Sequence, residues 1–318
     1  MGKRITQLEG MTTVGNTDLL YGVDVDDLTH SPEGTSKKFT KANLLKEVVQ
    51  GVSDNAGDIS DIRTDVTDIY SAIEQGYTGW NPLGQTLTYV SVDDPTGIVK
   101  VVGVNVTDKL SVGMRLMFTN GGNIIKGIIT SLAFSSDTII TFLHEIDPTD
   151  SQALTLMVDS AITLSYFSTQ KAPYGFPLNP AKWSVLKTDT SARTQGSAVS
   201  NTWYNIGTTN SQLTLPIGAW NVSFKVSMVG VSSSTTVMTI RACLSTANNA
   251  STNQNLQGQS YSNSELWLAN TFVGSDIISI DSKTTYYLNA LCISTSLSTI
   301  TFDNNATSMF IRATCAYL

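Results

Sequence analysis

The sequence predicts a mainly β protein with a coiled-coil stalk, a small β-barrel domain and a C-terminal jelly-roll-like β-sandwich. Three observations predict this class. Apolar residues recur every seven positions within 45–73, short runs with hairpin signals fill 86–167, and an apolar period of two returns repeatedly between 181 and 318. A period of seven is typical of a coiled coil, whereas a period of two is typical of half-buried strands.

The same patterns divide the chain into five segments. A turn-rich N-terminal segment precedes the stalk, and Gly76 ends the stalk. A stretch with three prolines in ten residues is expected to be a rigid connector between two β domains. The predicted segments are 1–44 for attachment, 45–76 for the stalk, 77–170 for the β-barrel shoulder domain, 171–180 for the connector and 181–318 for the sandwich.

The stalk sequence also indicates how many chains associate. Isoleucine at both apolar positions of the repeat disfavours a dimer and shifts the preference to three or four chains, so we predict a parallel homotrimer. Asn55 at one core position would fix the register, and Asp58 and Arg63 are placed to pair between chains. The predicted trimer core consists of Leu45, Val48, Val52, Asn55, Ile59, Ile62, Val66, Ile69 and Ile73.

The C-terminal domain reads as about eight strands. From Trp220 to Met228 apolar and polar residues alternate strictly, and Gly230 with the serines that follow Val231 is expected to end this strand. Similar runs cover 237–244, 265–272, 284–293 and 309–317. Strands at this spacing favour a β-sandwich of the jelly-roll kind.

Composition excludes several classes of partner and location. The net charge is −7 and only 14% of residues are charged, with no basic stripe, so nucleic acid is not an expected partner. The first ten residues, MGKRITQLEG, lack the apolar core of a signal peptide, and no run approaches 18 apolar residues. Neither export by a signal peptide nor membrane insertion is expected.

The sequence offers no catalytic, metal-binding or cofactor-binding motif. The two histidines, His30 and His144, both precede the sandwich, and its carboxylates are scattered, so we expect no enzyme and no cofactor. The three cysteines are odd in number and widely spaced, which argues against disulfides and zinc and favours buried free thiols. One alternative stays open, a hydrolytic site formed jointly by carboxylates of two neighbouring chains.

A polar stretch without a strand pattern, TANNASTNQNLQGQSYSN at 246–263, is the predicted binding loop of the sandwich. Long connections in compact domains are often functional, and amide side chains exchange hydrogen bonds with sugar hydroxyls. Aromatic rings offer a flat face for the C–H surface of a sugar. The candidate binding residues are Asn253, Gln254, Asn255, Gln257, Gln259, Tyr261 and Trp267.

Several phrases resemble bacteriophage proteins. TDLLYGVDVDDLTHSPEGTSKKFTKANLL resembles the N-terminal attachment segments of tail fibre proteins. GWNPLGQTLTYVSVDDPTGIVKV, with DKLSVGMRLMFT and YFSTQKAPYGFPLNPAKWSV, resembles a domain that recurs in phage and prophage tail proteins. RTQGSAVSNTWYNIGTTNSQLTLPIGAWNVSFKV is similar to sequences that follow that domain. None of these phrases is a catalytic signature.

The resemblance implies a homotrimeric fibre that docks through residues 1–44 on a tail, baseplate or capsid protein of the virion. Its C-terminal tip would then bind a saccharide or protein of the host cell surface during adsorption. It would be made in the host cytoplasm and reside in the virion. Two alternatives stay open, a purely structural protein such as a head fibre or connector, and a polysaccharide depolymerase.

Overall fold

The computed structural model describes residues 19–24, 35–304 and 307–318. Two compact units make up the chain, 1–74 and 75–318, and each is described by itself. In the first unit, β1 (Leu19–Asp24) and β2 (Thr35–Thr40) form an antiparallel hairpin. The rest of the predicted attachment segment, 1–18 and 25–34, lies outside the described residues.

The helix α1 spans Lys41–Thr78, 38 residues that begin directly after β2. At about 1.5 Å per residue it is roughly 57 Å long. The apolar side chains of its seven-residue repeat are 43 to 64% exposed in the single chain. Asn55, within the same row, is exposed as well. The helix therefore presents a continuous apolar row that nothing in its own chain covers among the described residues.

The second unit begins with an antiparallel sheet of seven strands. Its hydrogen-bonded order is β3-β9-β6-β7-β8-β5-β4, which leaves β3 and β4 at the two ends of the ladder. The sequence predicted a small β-barrel for this region. The strands are β3 (Asn81–Pro82), β4 (Thr88–Asp93), β5 (Thr96–Val101), β6 (Arg115–Asn120), β7 (Asn123–Phe134), β8 (Thr138–His144) and β9 (Ile162–Ser168).

The sheet curls round an apolar core of its own. Phe118 and Phe142 meet edge to face at its centre, with ring centroids 5.5 Å apart. Leu116 from β6 and Ile140 from β8 are fully buried beside them. Gly127 of β7 leaves the space that the Phe142 ring occupies, because a Cβ there would lie 2.5 Å from Cδ2 of that ring.

Nine further antiparallel strands form the C-terminal β structure, so the mainly β class predicted from the sequence is confirmed. They are β10 (Ser184–Asp189), β11 (Arg193–Gly196), β12 (Thr202–Tyr204), β13 (Gln212–Leu215), β14 (Gly218–Ser245), β15 (Gln257–Ile280), β16 (Thr284–Ile293), β17 (Leu297–Phe302) and β18 (Met309–Cys315).

The hairpin of β14 and β15 folds over on itself and builds both layers of the sandwich. A Cβ at Gly230 would lie 2.9 Å from the Ile240 side chain, although ten residues of extended strand span about 33 Å. A Cβ at Gly258 would likewise meet the Phe272 ring at 2.6 Å. The first half of β14 pairs with β17 and β18, and its second half pairs with β16.

The prediction that Gly230 and the following serines end a strand is therefore wrong. β14 runs without interruption for 28 residues, with a register shift against β15 between Val231 and Thr236. Gly230 marks a close contact between layers rather than a strand end, because it leaves room for Ile240 and the Cys292 sulfur.

One apolar core crosses the predicted connector 171–180. Phe176 stacks on Trp183 with ring centroids 4.8 Å apart and planes 6° apart, and the Trp183 indole donates to the Pro177 carbonyl at 2.8 Å. Trp80 packs against Phe176 and donates to the Tyr174 carbonyl at 2.9 Å. The connector thus packs between the two sheets, and 75–318 is one compact unit.

Arg115 of β6 stabilises the same region through hydrogen bonds to three backbone carbonyls. Its side chain is buried and its guanidinium donates to the carbonyls of Gly113 at 2.7 Å, Lys171 at 3.0 Å and Tyr317 at 3.1 Å. The guanidinium also lies 5.0 Å from the centroid of the Phe176 ring. No carboxylate pairs with it among the described residues, and its Nη2 atom has no partner there.

His144, at the end of β8, is buried without hydrogen-bond partners for its ring nitrogens within the described part of the chain. Its ring packs on Phe142 at 4.7 Å and fills the space beside Gly97, where a Cβ would lie 2.8 Å from Nε2. Burial lowers the pKa of His144 from 6.5 to about 4, although the nearby Thr155 backbone acts in the opposite direction. The ring is therefore neutral at pH 7.

We expect His144 to weaken the fold in acid. The unfolded chain binds a proton near pH 6.5 and the folded chain only near pH 4, so this contribution to stability is complete above about pH 6.5 and is lost as the pH falls towards 4. The loss amounts to about 3 kcal/mol. Urea unfolding at pH 7 and pH 4.5 should show a smaller acid loss in His144→Leu than in the unmodified protein, with His30→Gln as the control. An equal loss in all three proteins would contradict this role.

No helix in the part of the chain that the structure describes combines the length and apolarity needed to cross a membrane.

Candidate binding surface

Four segments meet at the bend of the β14–β15 hairpin, where strands pass from one layer of the sandwich to the other. The β11–β12 connection, the two bends and the β16–β17 turn all cross there, because β17 pairs with the first half of β14 and β16 with the second. We call this end of the sandwich the apical surface. It consists of residues 197–201, 232–236, 264–267 and 294–296.

Hydroxyl groups dominate the apical surface, since eleven of its seventeen residues are serine or threonine. Ser232 lies within 3.0 Å of the Ser294 hydroxyl and 2.6 Å of the Ser296 hydroxyl. Ser234 approaches the same Ser296 hydroxyl to 2.6 Å, and other pairs continue the network. These bonds satisfy the polar groups that the bend removes from the ladders, and they fix the positions of the exposed hydroxyls around them.

Exposed apolar side chains border these hydroxyls. Trp267 is 61% exposed, and Val199, Val237 and Leu266 are also exposed. Glu265 is the single charged residue of the surface. A flat aromatic ring beside neutral donors and acceptors is suited to a ligand with both hydroxyls and C–H faces, such as a saccharide.

The apical surface lies at the end of the sandwich remote from the seven-stranded sheet. Gly218, at the start of β14, is next to that sheet, because a Cβ there would lie 3.2 Å from the Thr130 side chain. Val231 follows thirteen residues later, about 43 Å further along an extended strand.

The predicted binding loop occupies a different place. After the bend, β14 returns towards the seven-stranded sheet, and the loop that follows, 246–256, lies on the flank of the sandwich. The Asn255 amide reaches the Asp276 carboxylate at 3.4 Å. Asp276 is nine residues from Trp267, about 30 Å along β15. The structure therefore does not bring Trp267 together with the asparagines of the loop.

Much of the hydrogen-bonding capacity of this loop is used within the protein. The Asn289 amide donates to two carbonyls of the loop, Ala247 at 2.9 Å and Ala250 at 2.7 Å. Asn253 accepts from the backbone of Asn255 at 3.0 Å. Gln254 makes no side-chain hydrogen bond within the described residues and is exposed. Fewer of the predicted groups are thus available to a ligand than the composition indicates.

The prediction of a loop is wrong for residues 257–263, which belong to β15. As a consequence Gln257, Gln259 and Tyr261 lie on one face of a strand at alternate positions, a more regular row than a loop provides. Tyr261 is 57% exposed, whereas the Gln257 amide oxygen accepts from Ser251 at 2.9 Å. Residues 257–263 carry mostly polar side chains on both faces, so this stretch lacks the apolar period that identifies a strand.

Other reactive groups of the sandwich serve structure. Asp189 is buried and bound through both oxygens to Arg193 at 2.8 and 3.2 Å, and this partner lowers the pKa of the carboxyl. The expectation of buried free thiols is confirmed for Cys243, Cys292 and Cys315, and burial raises the pKa of each to about 11. Within the described residues no group of three or more histidine, cysteine or acidic side chains is placed to bind a metal ion.

Sequence reasoning did not identify the apical surface as one site. Its four segments are separated by up to about a hundred residues, and each reads as an ordinary polar turn. The run SSSTT at 232–236 was the available signal, together with the isolated Trp267. Only the fold of the β14–β15 hairpin brings the segments together.

Comparison with known proteins gives no family for this chain. No protein-family model matches it, and no curated protein does. Solved structures give weak likenesses. The latent, dimeric PorU of Porphyromonas gingivalis aligns with 73% of this chain at 8% identity and a TM-score of 0.24, and this chain spans 24% of that protein.

Two virus particles give likenesses of the same strength. A protein of the T13 IBDV viral particle aligns with 77% of this chain and 78% of its own at 9% identity and a TM-score of 0.24. The T=1 particles derived from infectious bursal virus align with 74% of this chain and 76% of their own at 9% identity and a TM-score of 0.20. At these TM-scores the likenesses carry no conclusion about fold or function.

Proposed function

We propose that this protein is a trimeric fibre that docks on a virus particle through its N-terminal segment and binds a saccharide of the host cell surface through its C-terminal β-sandwich. The single observation that carries the binding role is the apical surface, where the exposed Trp267 stands beside an uncharged, internally bonded array of hydroxyls. Its position at the free end of the unit suits contact with a cell.

The apolar row of α1 supports the trimeric part of the proposal. A single chain leaves eight isoleucine, leucine and valine side chains of this row in water. Burying them between three helices in a parallel coiled coil removes that cost and follows the isoleucine-rich repeat. Three copies of a jelly-roll-like tip on one stalk would also present three apical surfaces. Binding through all three at once could attach the fibre to a cell even if each single site is weak.

A second candidate is a structural virion protein that touches no host molecule. The dense hydrogen bonding of the 246–256 loop favours this role for the flank of the sandwich, because those groups serve the protein itself. The apical surface distinguishes the two candidates. A purely structural protein has no reason to keep an aromatic side chain exposed there.

The substitution Trp267→Ala tests the binding role. We expect it to lower binding of the full-length protein to an array of bacterial surface glycans by about tenfold, because a sugar would lose its aromatic platform while the fold keeps its core. Tyr174→Ala is the matched control, since Tyr174 is a 72% exposed aromatic residue of 171–180. Thermal unfolding should be unchanged in both variants.

A triple variant with alanine at Gln257, Gln259 and Tyr261 tests the row predicted from the sequence. Lost binding in this variant with normal binding in Trp267→Ala would move the site to the flank. No binding of the unmodified protein to any glycan or to host cells would favour the structural candidate.

A further inference from the structure

β15 is an edge strand of unusual length. It spans 24 residues and is hydrogen-bonded to β14 alone, so one side of its backbone has no strand partner among the described residues. Unpaired edges of this length promote association with other chains, and proteins protect them with lysine, proline or short strands. β15 contains no lysine, arginine or proline, and its charges are Glu265 and Asp276.

The outer face of this strand is apolar at intervals. Trp267, Val273 and Ile277 are odd-numbered and lie on one face, 61, 68 and 70% exposed, with small residues between them. The even-numbered Phe272 points the other way and is buried. A row of large apolar side chains separated by alanine, serine and threonine allows another surface to approach closely.

We propose that the C-terminal half of β15, 269–280, is an interface between copies of this chain, packing its free edge and the exposed Val273 and Ile277 against the sandwich of the next copy while Trp267 stays exposed in the apical surface. This inference rests on the self-association in the proposed function. In a threefold assembly each copy must meet a different surface of its neighbour, so the contact is head to tail rather than β15 against β15.

A second copy suits this surface better than an unrelated protein for two reasons. The same chain carries the exposed apolar row of α1, and chains joined at their helices hold their sandwiches at an effective concentration near millimolar, where a neutral surface needs little intrinsic affinity. The area agrees with this dependence on the helices. Residues 269–280 span about 40 Å of strand, and with a thickness of about 10 Å they present on the order of 400 Å², about half the share of one partner in a standard interface.

Cysteine labelling of the full-length protein tests this interface. The three native cysteines are buried, so a cysteine introduced at a surface position is the one that reacts with a maleimide. We expect Ile277→Cys to react at least tenfold more slowly than Val102→Cys, although both positions are exposed in the single chain, at 70 and 57%. Val102 lies in the seven-stranded part of the unit, away from β15.

The internal comparison uses Ile277→Cys and Val102→Cys again, each combined separately with Ile62→Asp. At a dilution where light scattering gives the mass of one chain, Ile277→Cys should react as fast as Val102→Cys. Slow labelling in single chains would overturn the interface, and so would fast labelling of Ile277→Cys in an assembled trimer. If the unmodified protein is itself a single chain, the trimer of the proposed function fails and this interface fails with it.

Discussion

Replacing Ile62 with Asp is expected to separate the proposed trimer into single chains. Ile62 lies in the middle of the apolar row of α1 and is 60% exposed in the single chain. In a parallel three-stranded coiled coil its three copies would meet in one layer, where three carboxylates without partners cost several kcal/mol each. Light scattering should report 34.2 kDa in place of the roughly 103 kDa of three chains.

Thr64→Asp is the matched control for this experiment. It adds the same carboxylate two residues away, at the position of the repeat that points furthest from the partner helices, and should leave the trimer intact. A mass of one or two chains for the unmodified protein would contradict the trimer directly. A trimeric Ile62→Asp variant would show that the helices are not what holds the copies together.

Arg115→Ala is expected to cause the largest loss of folding stability. Without the guanidinium, the carbonyls of Gly113, Lys171 and Tyr317 lose their donor and a cavity forms beside Phe176. We expect the free energy of unfolding to fall by about 3 to 5 kcal/mol. For a unit of this size, that corresponds to a melting temperature lower by about 10 °C, measurable by calorimetry.

Two further variants separate the geometry of Arg115 from its charge. Arg115→Lys keeps the charge but cannot direct donors to three carbonyls at once, so an intermediate loss is expected. Arg312→Ala removes an exposed guanidinium that lies 5.8 Å from the Phe310 ring and should change stability by less than about 0.5 kcal/mol. Equal stability of Arg115→Ala and the unmodified protein would mean that water replaces the lost donors.

The helix shows how far periodicity alone reaches. The repeat within 45–73 predicted a helix, and α1 contains all of it. The same repeat marked the side chains that a single chain cannot bury, and they are exposed. This succeeds because a helix is a local structure whose apolar face follows directly from residue spacing.

The strands show the limit of the same reasoning. The alternation from Trp220 to Met228 identified part of β14, where one face meets a core and the other meets water. Of β15 only 265–272 was predicted as a strand, because the odd-numbered face is exposed along most of its length and is free of the constraint that creates an apolar period. Gly230 was read as a strand end because its role, a close contact with Ile240 in the other layer, has no local signature.

Sequence by itself determined the helix, its exposed apolar row, the mainly β class and the buried free thiols, since each depends on residue type and on neighbours a few positions away. Tertiary structure alone decided that the segment 171–180 joins one core, that Arg115 binds carbonyls up to about two hundred residues apart, and that Trp267 lies at the same end of the sandwich as three other segments rich in hydroxyls. The reason is that a hairpin of more than sixty residues bends back on itself, and such a bend is selected by contacts between its two halves, which no window of sequence contains.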